Sequence, residues 1–446
     1  MDFKDEVKDI IENRPTPEEN KEYWAHAKAK KKHAMPEKRR AFPRKPGYII
    51  ALIILAVVTA AFLAVMIMAD MLPADLTVIL ACGVVALLLL TCFMFSSRYR
   101  WKRITGILIA IVLLLLLTSV TGVMHSTYAM LNKISSGSVG ATGPVAKSVN
   151  VEEEPFNIYI TGIDQWASEK GLDLERSDVN MIVTVNPVTK KVLLTSIPRD
   201  SYVLLHTAQQ MDKLTHTGIY GVDETLNTVQ DWFGLDLNYY VKMNFTAVSD
   251  IINAMGGIKV YSPVAFESSL KGYKYEKGWN KLSGRQALYF ARERHAFEGQ
   301  DSIRVENQQR VVEAVIKKMT SSTTLLTKYG DIMSAAGDNL STNMSTADMT
   351  ELVRMQITDL AEWDIETQKI EGEYGEDYVA SLTQAQKFSV YVTDPASVSK
   401  CVDGIKAVQN PTASELEEAA KSNSKSFVIN ALNVIVEKIK APKGDE

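Results

Sequence analysis

The sequence predicts a chain of the α/β class, an extracellular α/β/α domain with a central mixed sheet flanked by helices, preceded by three transmembrane helices. Three observations carry this. Three apolar runs lie near the N-terminus of the 446 residues, basic residues are distributed asymmetrically around them, and from about Val151 short apolar strands alternate with segments of helical spacing.

Residues 1–47 are acidic, then basic, with little apolar periodicity, and read as a largely disordered cytoplasmic tail. The runs 48–68, 76–95 and 104–124 each hold about 20 residues without a charge, enough to cross a bilayer as a helix. A cleavable signal peptide is the alternative for the first run, but that run follows a charged leader far longer than the usual one. Orientation comes from the flanks. The stretch from Lys28 to Lys45 holds nine Lys or Arg against one Glu, and Arg98, Arg100, Lys102 and Arg103 follow the second run. The loop between the first two runs carries only Asp70 and Asp75. The positive-inside rule therefore predicts a multi-pass protein of the cell membrane, with its N-terminus cytoplasmic and everything after residue 124 outside. The basic leader also suits anionic headgroups, although a topology signal alone accounts for it.

The net charge of −4 gives no support for a nucleic-acid partner. Cys82 and Cys92 fall within the second run and Cys401 stands alone in the exterior part, which excludes a disulfide framework or cysteine metal site there.

Residues 125–150, rich in Gly and Ser towards their end, read as an extracellular linker. A catalytic domain is expected over 151–409. Its first strand is "FNIYITGID"; "VNMIVTVNPVTKKVLLTSIPRD" is two strands around a turn. "GVDETLNTVQDWFG" has helical spacing and stops on Gly234. After the strand "YYVKMNF", Asn244 is placed to cap a helix that Gly256 and Gly257 end. "IKVYSP" is a strand broken by Pro263, and Ser283 caps a helix through "GRQALYFARER". "VENQQRVVEAVIKKM" puts Val311, Val312, Val315, Ile316 and Met319 on one helical face. "FSVYVTDP" reads as a late strand, and 410–446 as a C-terminal tail with helical segments.

Several charged residues fall where strands end, which is where open α/β sheets place ligands. Asp164 closes the first strand and Asp178 opens the second. Two such carboxylates, completed by water and phosphate, suit Mg²⁺; the alternative is a pair of solvated turn formers. Arg199 and Asp200 follow Pro198 as the chain leaves a strand, either as a surface pair or as part of a site. Lys213 adds a cation, and His216 and His295 are candidate acid-base groups that read more readily as structural. The densest signal is "YFARERHAFEGQDSIRVENQQR", with Arg292, Arg294, Arg304 and Arg310. Arg304 and Gln308 share a helical face and Arg310 points elsewhere. Convergent guanidiniums bind pyrophosphate bidentately. The competing reading pairs them with Glu293, Glu298, Asp301 and Glu306.

Taken in order, "ITGIDQ", "ERSDVNMIVTVNPVTKKVLLTSIPRDSYV", "DKLTHTGIYG", "MGGIKV", "LSGRQALYFARERH" and "RVENQQR" resemble the catalytic domain of the LytR-CpsA-Psr family of Gram-positive cell-wall enzymes, over roughly residues 151–330, with the segment to about 409 fitting its less regular second half. The resemblance implies a phosphotransferase that moves an anionic glycopolymer, of wall teichoic acid or capsular polysaccharide type, from undecaprenyl pyrophosphate to peptidoglycan with formation of a phosphodiester. It implies Mg²⁺, with Mn²⁺ as a substitute, at Asp164 and Asp178. It implies pyrophosphate binding by Arg199, Lys213, Arg292, Arg294, Arg304 and Gln308, and catalytic roles for Asp178, Arg199, Asp200 and Arg292. Two positions depart from the pattern: Val179 replaces a usual threonine, and "LTHTGIYG" an Asn-rich segment. Two rival functions use the same residues. A regulator or carrier-binding protein would bind without turnover, and a lipid pyrophosphatase would use water as acceptor.

Overall fold

The computed structural model describes residues 46–69, 74–97, 99–136, 149–163, 177–269, 271–294, 296, 300–336, 340–359, 361–382 and 386–423, with a few positions between 16 and 25. The expected cytoplasmic tail therefore lies almost wholly outside the described residues, as do Asp164, His295, Glu298 and everything after 423. The chain divides into two compact units, 1–56 and 57–446. The described part of the first is mainly the beginning of helix α1 (Pro46–Ala69); all elements after α1 belong to the second.

Helices α1, α2 (Ala74–Ser96) and α3 (Arg100–Ser136) are each long and apolar enough to cross a membrane. Pro46 opens α1 at a position where its missing N–H costs nothing. Helix α3 continues to Ser136, past the apolar run and into the segment 125–150 expected as a linker. Between Gly122 and Gly137 the sequence has neither Gly nor Pro, so nothing stops propagation of a helix already nucleated in the span.

The domain is built on a six-stranded mixed sheet in the order β11-β6-β1-β2-β3-β12. Its central strands are β1 (Phe156–Ile163), β2 (Ser177–Asn186) and β3 (Lys191–Ser196), paired antiparallel in succession. The β2–β3 turn is held by Asn186, whose side-chain oxygen accepts from the amides of Val188 and Thr189. A short hairpin of β4 (Tyr202–Leu204) and β5 (Met211–Lys213) follows, then a 3₁₀ turn at Leu214–Tyr220 and α4 (Val222–Phe233), which ends on Gly234 in the left-handed conformation. Strand β6 (Tyr239–Asn244) runs parallel to β1 and leads into α5 (Phe245–Ala254), whose first turn is capped by Asn244.

Next come β7 (Ile258–Ser262), the two-residue strands β8 (Phe266–Glu267) and β9 (Lys274–Tyr275), and β10 (Gly278–Leu282), which pairs with β7. Helices α6 (Gly284–Arg292), α7 (Gln300–Met319) and α8 (Ser322–Ala336) lead to β11 (Leu340–Thr342) and α9 (Thr346–Asp359). The chain then forms β12 (Asp364–Lys369), the hairpin β13 (Gly372–Asp377) and β14 (Phe388–Thr393), α10 (Pro395–Gln409) and α11 (Ala413–Asn423). Strand β12 lies parallel to β3 at the sheet margin.

Strict alternation along the strands gives the sheet two buried faces. Tyr159, Ile182 and Leu193 pack against Leu226, Val229 and Phe233 of α4 and Cys401 and Ile405 of α10. Phe156, Met181, Val183 and Leu194 pack the other way, against Val312 and Ile316 of α7 and Met349 and Leu352 of α9. A further core joins α5, β7, β10, α6, α7 and α8 through Ile252, Val260, Phe290, Val311 and Ile332. Helices on both faces of a mixed sheet are the architecture the alternating strand and helix patterns predict.

Candidate functional site

Strand register gathers the site at one end of the sheet. Because β1 and β2 are antiparallel, Ile163 at the end of β1 lies opposite Ser177 at the start of β2. The same end receives Asn244 of β6, paired with Ile163, and Ser196 of β3, which lies opposite Lys369 of β12. Asp178 therefore emerges beside the turn at Ile197–Ser201 that carries Arg199 and Asp200. That turn is fixed by backbone bonds: Ile197 N donates to Asn180 O, Ser201 N to Pro198 O, Thr215 N to Arg199 O, and Tyr391 N to Asp200 O.

Four of the predicted residues are joined in a row of alternating charge. Arg199 Nη1 lies 2.7 Å from Asp178 Oδ1, Arg199 Nε 3.3 Å from Asp200 Oδ2, and Lys213 Nζ 3.3 Å from Asp200 Oδ1. All four side chains are partly exposed, so each pair contributes about 1 kcal/mol or less to stability; the geometric consequence is larger. The row holds the Arg199 guanidinium between two carboxylates and the Lys213 ammonium against Asp200.

A polar layer under this row fixes the start of β2. Tyr159 donates its hydroxyl to Asn180 Oδ1 at 2.6 Å, and Ser177 contacts both Asn180 and Thr161. Burial pushes the Tyr159 pKa up, so the phenol stays protonated and remains a donor. These residues were invisible as site support in the sequence, where they alternate among strand apolars.

Arg292 reaches the same end of the sheet from a helix. It occupies the last turn of α6, and its guanidinium carbon lies 4.9 Å from the ring centroid of Phe245, the residue that follows β6. Phe245 and Val179 are neighbours across Gly162, so Arg292 and Asp178 flank the same end of β1. The position of α6 is set at its start, where Ser283 and Gln286 form a reciprocal capping box and Asn253 Oδ1 accepts from Gly284 N at 2.8 Å. Gly284 is required there: a Cβ would lie 1.9 Å from Ser249 O of α5.

Glu293 departs from the ion-pair reading of the arginine-rich stretch. It is 1% exposed. Its carboxylate accepts from the amides of Ser269, Arg294 and Ala296 and from the Ser269 hydroxyl, at 2.7 to 3.1 Å. Burial alone would raise its pKa, but the Ser269 and Ala296 amides and the Ser268 and Ser269 hydroxyls outweigh it and hold the pKa below its ordinary value. Glu293 thus clamps the turn that carries Arg292 and Arg294.

Arg304 and Gln308 sit half-buried on α7, four residues apart on one face, while Arg310 turns to Glu306 and Asn307 as its spacing predicts. Glu306 also takes Lys369 Nζ at 2.9 Å and so ties α7 to the site end of β12. Burial would raise its pKa, and the Lys369 and Arg310 contacts bring it below the ordinary value instead. His216 is buried and contacts Asp212 Oδ1 at 2.7 Å and the Ser381 hydroxyl at 2.8 Å through Nδ1. That makes it a brace for the segment carrying Lys213. Asp164 and His295, predicted as metal ligand and acid-base candidate, lie outside the described residues.

The donor set at the sheet end suits a phosphorylated ligand: the Arg199 guanidinium and the Lys213 ammonium with Asp178 and Asp200 beside them, and the Arg292 guanidinium arriving from α6. No group of three or more His, Cys, Asp or Glu placed to hold a metal occurs among the described residues. The described part offers Asp178 oxygen to a hard cation. That fits Mg²⁺, which is commonly held by one or two carboxylates with phosphate and water supplying the rest.

Residues 117–403 match the family model LytR_cpsA_psr. The chain is 32% identical over 256 residues to the polyisoprenyl-teichoic acid–peptidoglycan teichoic acid transferase TagU of Enterococcus faecalis, covering 57% of this chain and 83% of that protein. It is also 32% identical to the same-named protein of Bacillus subtilis over 206 residues, 46% of this chain and 65% of that protein. A crystal structure from Streptococcus agalactiae aligns with a TM-score of 0.50 at 26% identity, over 61% of this chain and 91% of that one. With motifs, fold and a family match over residues 117–403, the chain belongs to the LytR_cpsA_psr family.

Proposed function

We propose that the chain transfers an anionic glycopolymer, of wall teichoic acid or capsular type, from undecaprenyl pyrophosphate to peptidoglycan. The observation that carries this is the row Asp178–Arg199–Asp200–Lys213 at the sheet end that Arg292 also reaches, in a chain that aligns over 57% of its own length with 83% of a named teichoic acid transferase. The acceptor hydroxyl oxygen attacks the polymer-bearing phosphorus. The bond between that phosphorus and the bridging oxygen breaks, and undecaprenyl phosphate leaves with the bridging oxygen. The polymer remains on the acceptor through a phosphodiester. Arg199, Lys213 and Arg292 bind the pyrophosphate and neutralise charge as it shifts to the leaving phosphate, with Arg294, Arg304 and Gln308 completing the cradle. Asp178 and Asp200 are the carboxylates placed to take the acceptor proton.

Asp164 and Asp178 would hold Mg²⁺ or Mn²⁺, which supplies further neutralisation of the phosphates when bound. The basic residues around the first and second spans support a cytoplasmic N-terminus with the domain outside.

The test uses the full chain in nanodiscs with a labelled polyprenyl-pyrophosphate oligosaccharide and peptidoglycan fragments. Label should join peptidoglycan, and Arg292→Ala or Asp178→Asn should abolish this while the thermal melt is kept. Label appearing in water would mark a pyrophosphatase; tight binding with neither product would mark a carrier-binding protein. Mn²⁺ binding followed by its paramagnetic resonance should weaken in Asp178→Asn independently of turnover.

A further inference from the structure

The β7–β10 ladder buries Ile258, Val260 and Leu282 on one face and presents Lys259, Tyr261, Trp279 and Lys281 on the other. Register places Trp279 opposite Tyr261 and Lys281 opposite Lys259. Like charges directly opposite one another destabilise a ladder. Trp279 is 72% exposed and Tyr261 44%, with ring centroids 5.5 Å apart, and Val264 beside them is 45% exposed. Lys271 and Lys277 on the adjoining turns and Lys274 of β9 are exposed, so between residues 258 and 282 five lysines face two acids, Glu267 and Glu276. The pair Lys274–Glu267 lies at 3.9 Å.

We propose that this face docks on anionic phospholipid headgroups and lays the domain on the membrane that anchors it. Aromatic rings among lysines suit that interface, where rings sit at headgroup level and ammonium groups meet lipid phosphates. The charge excess requires an anionic partner. The rings meet at 72°, so they do not form the flat shared platform that a sugar chain stacks on. The patch also lies on the part of the domain tied to the membrane: its buried side shares a core with Ile332 and Ala336 of α8, and α8 packs on α3, the third membrane helix. A tethered domain meets the bilayer at high effective concentration, so a contact too weak to recruit a free protein suffices. Docking fixes the height of Arg292, because α6 starts directly after β10 and its nine residues span roughly 14 Å.

The test reconstitutes the full chain in nanodiscs of phosphatidylcholine, with or without about 30% phosphatidylglycerol, using lipids brominated near the glycerol end to quench tryptophan. Subtracting the Trp279→Phe variant isolates Trp279. Quenching of Trp279 is expected with the anionic lipid, falling at least threefold (~3-fold) in phosphatidylcholine alone, at ~0.5 M salt, or in Lys259→Gln/Lys281→Gln. Trp279 unquenched in every membrane overturns the proposal. So does emission that ignores lipid but shifts on adding a soluble phosphate-bearing glycan, which would make the face a glycan surface.

Discussion

Glu293→Gln tests whether the turn bearing Arg292 and Arg294 is held by a buried charge. In the native chain Oε2 accepts from Ser269 N at 2.7 Å, and Oε1 from Arg294 N at 3.0 Å and Ala296 N at 3.1 Å. An amide keeps one acceptor oxygen. If that oxygen serves Arg294 and Ala296, an NH₂ group faces the Ser269 amide, and a buried donor without an acceptor costs about 1–3 kcal/mol. The two retained bonds lose their charge assistance, each falling from about 1.5–3 to about 0.5–1.5 kcal/mol. The sum is about 3–6 kcal/mol, which for a domain of this size lowers the melting temperature by roughly 10 °C or more. The pH dependence has a definite sign. Because the folded pKa of Glu293 is lowered, its contribution is fully present above the unfolded value of about 4.3 and is lost as pH falls through the folded value. The gap in melting temperature between wild type and Glu293→Gln should therefore be flat from about pH 5 to 8 and close below about pH 4. Transfer should fall about 10- to 100-fold through misplaced arginines. A variant that melts within about 1 °C of wild type and turns over normally would refute the clamp.

Asp212→Asn should destabilise the domain by about 3 kcal/mol, read by thermal melts, because the fully buried carboxylate serves His216, Ser381 N and Lys213 N. Burial would raise the Asp212 pKa, but the His216, Ser381 and Lys213 bonds lower it overall. The stabilisation should therefore be present above about pH 4 and fade as pH falls through the folded value. Gly284→Ala should cost about 1–3 kcal/mol in the same melts and reduce transfer, since its Cβ would lie 1.9 Å from Ser249 O and must push the start of α6 away from α5.

Elements whose signal is local were legible in the sequence. Apolar alternation marks β1 to β3, Asn244 and Ser283 each cap the helix they precede, and Gly234 ends α4. Strands β12 and β13 were missed because "DIETQK" and "GEYGED" are polar and mostly solvent-facing; sheet pairing, not apolar content, makes them strands. At the site, Asp178, Arg199, Asp200 and Lys213 stand out as residues at strand ends, but that Arg199 takes both carboxylates follows only from the β2–β3 register. Glu293 looked like a counter-ion for neighbouring arginines, yet its partners include Ser269, 24 residues upstream, a contact no local spacing announces.

The alternating row also explains why the site combines arginines from two sources. Arg199 meets Asp178 through Nη1 and Asp200 through Nε, so two nitrogens fix the plane of its fork before any anion arrives. The same carboxylates cancel most of the local positive charge, which weakens long-range attraction for a pyrophosphate. Arg292, Arg294 and Arg304 come from α6, the turn after it and α7 rather than from the sheet end, and Glu293 holds that turn through backbone amides. On the proposed reading, the sheet-borne row supplies orientation and Arg294 and Arg304 supply attraction. Removing Arg294 or Arg304 should chiefly raise KM, whereas removing Arg292 or disturbing the row should chiefly lower kcat.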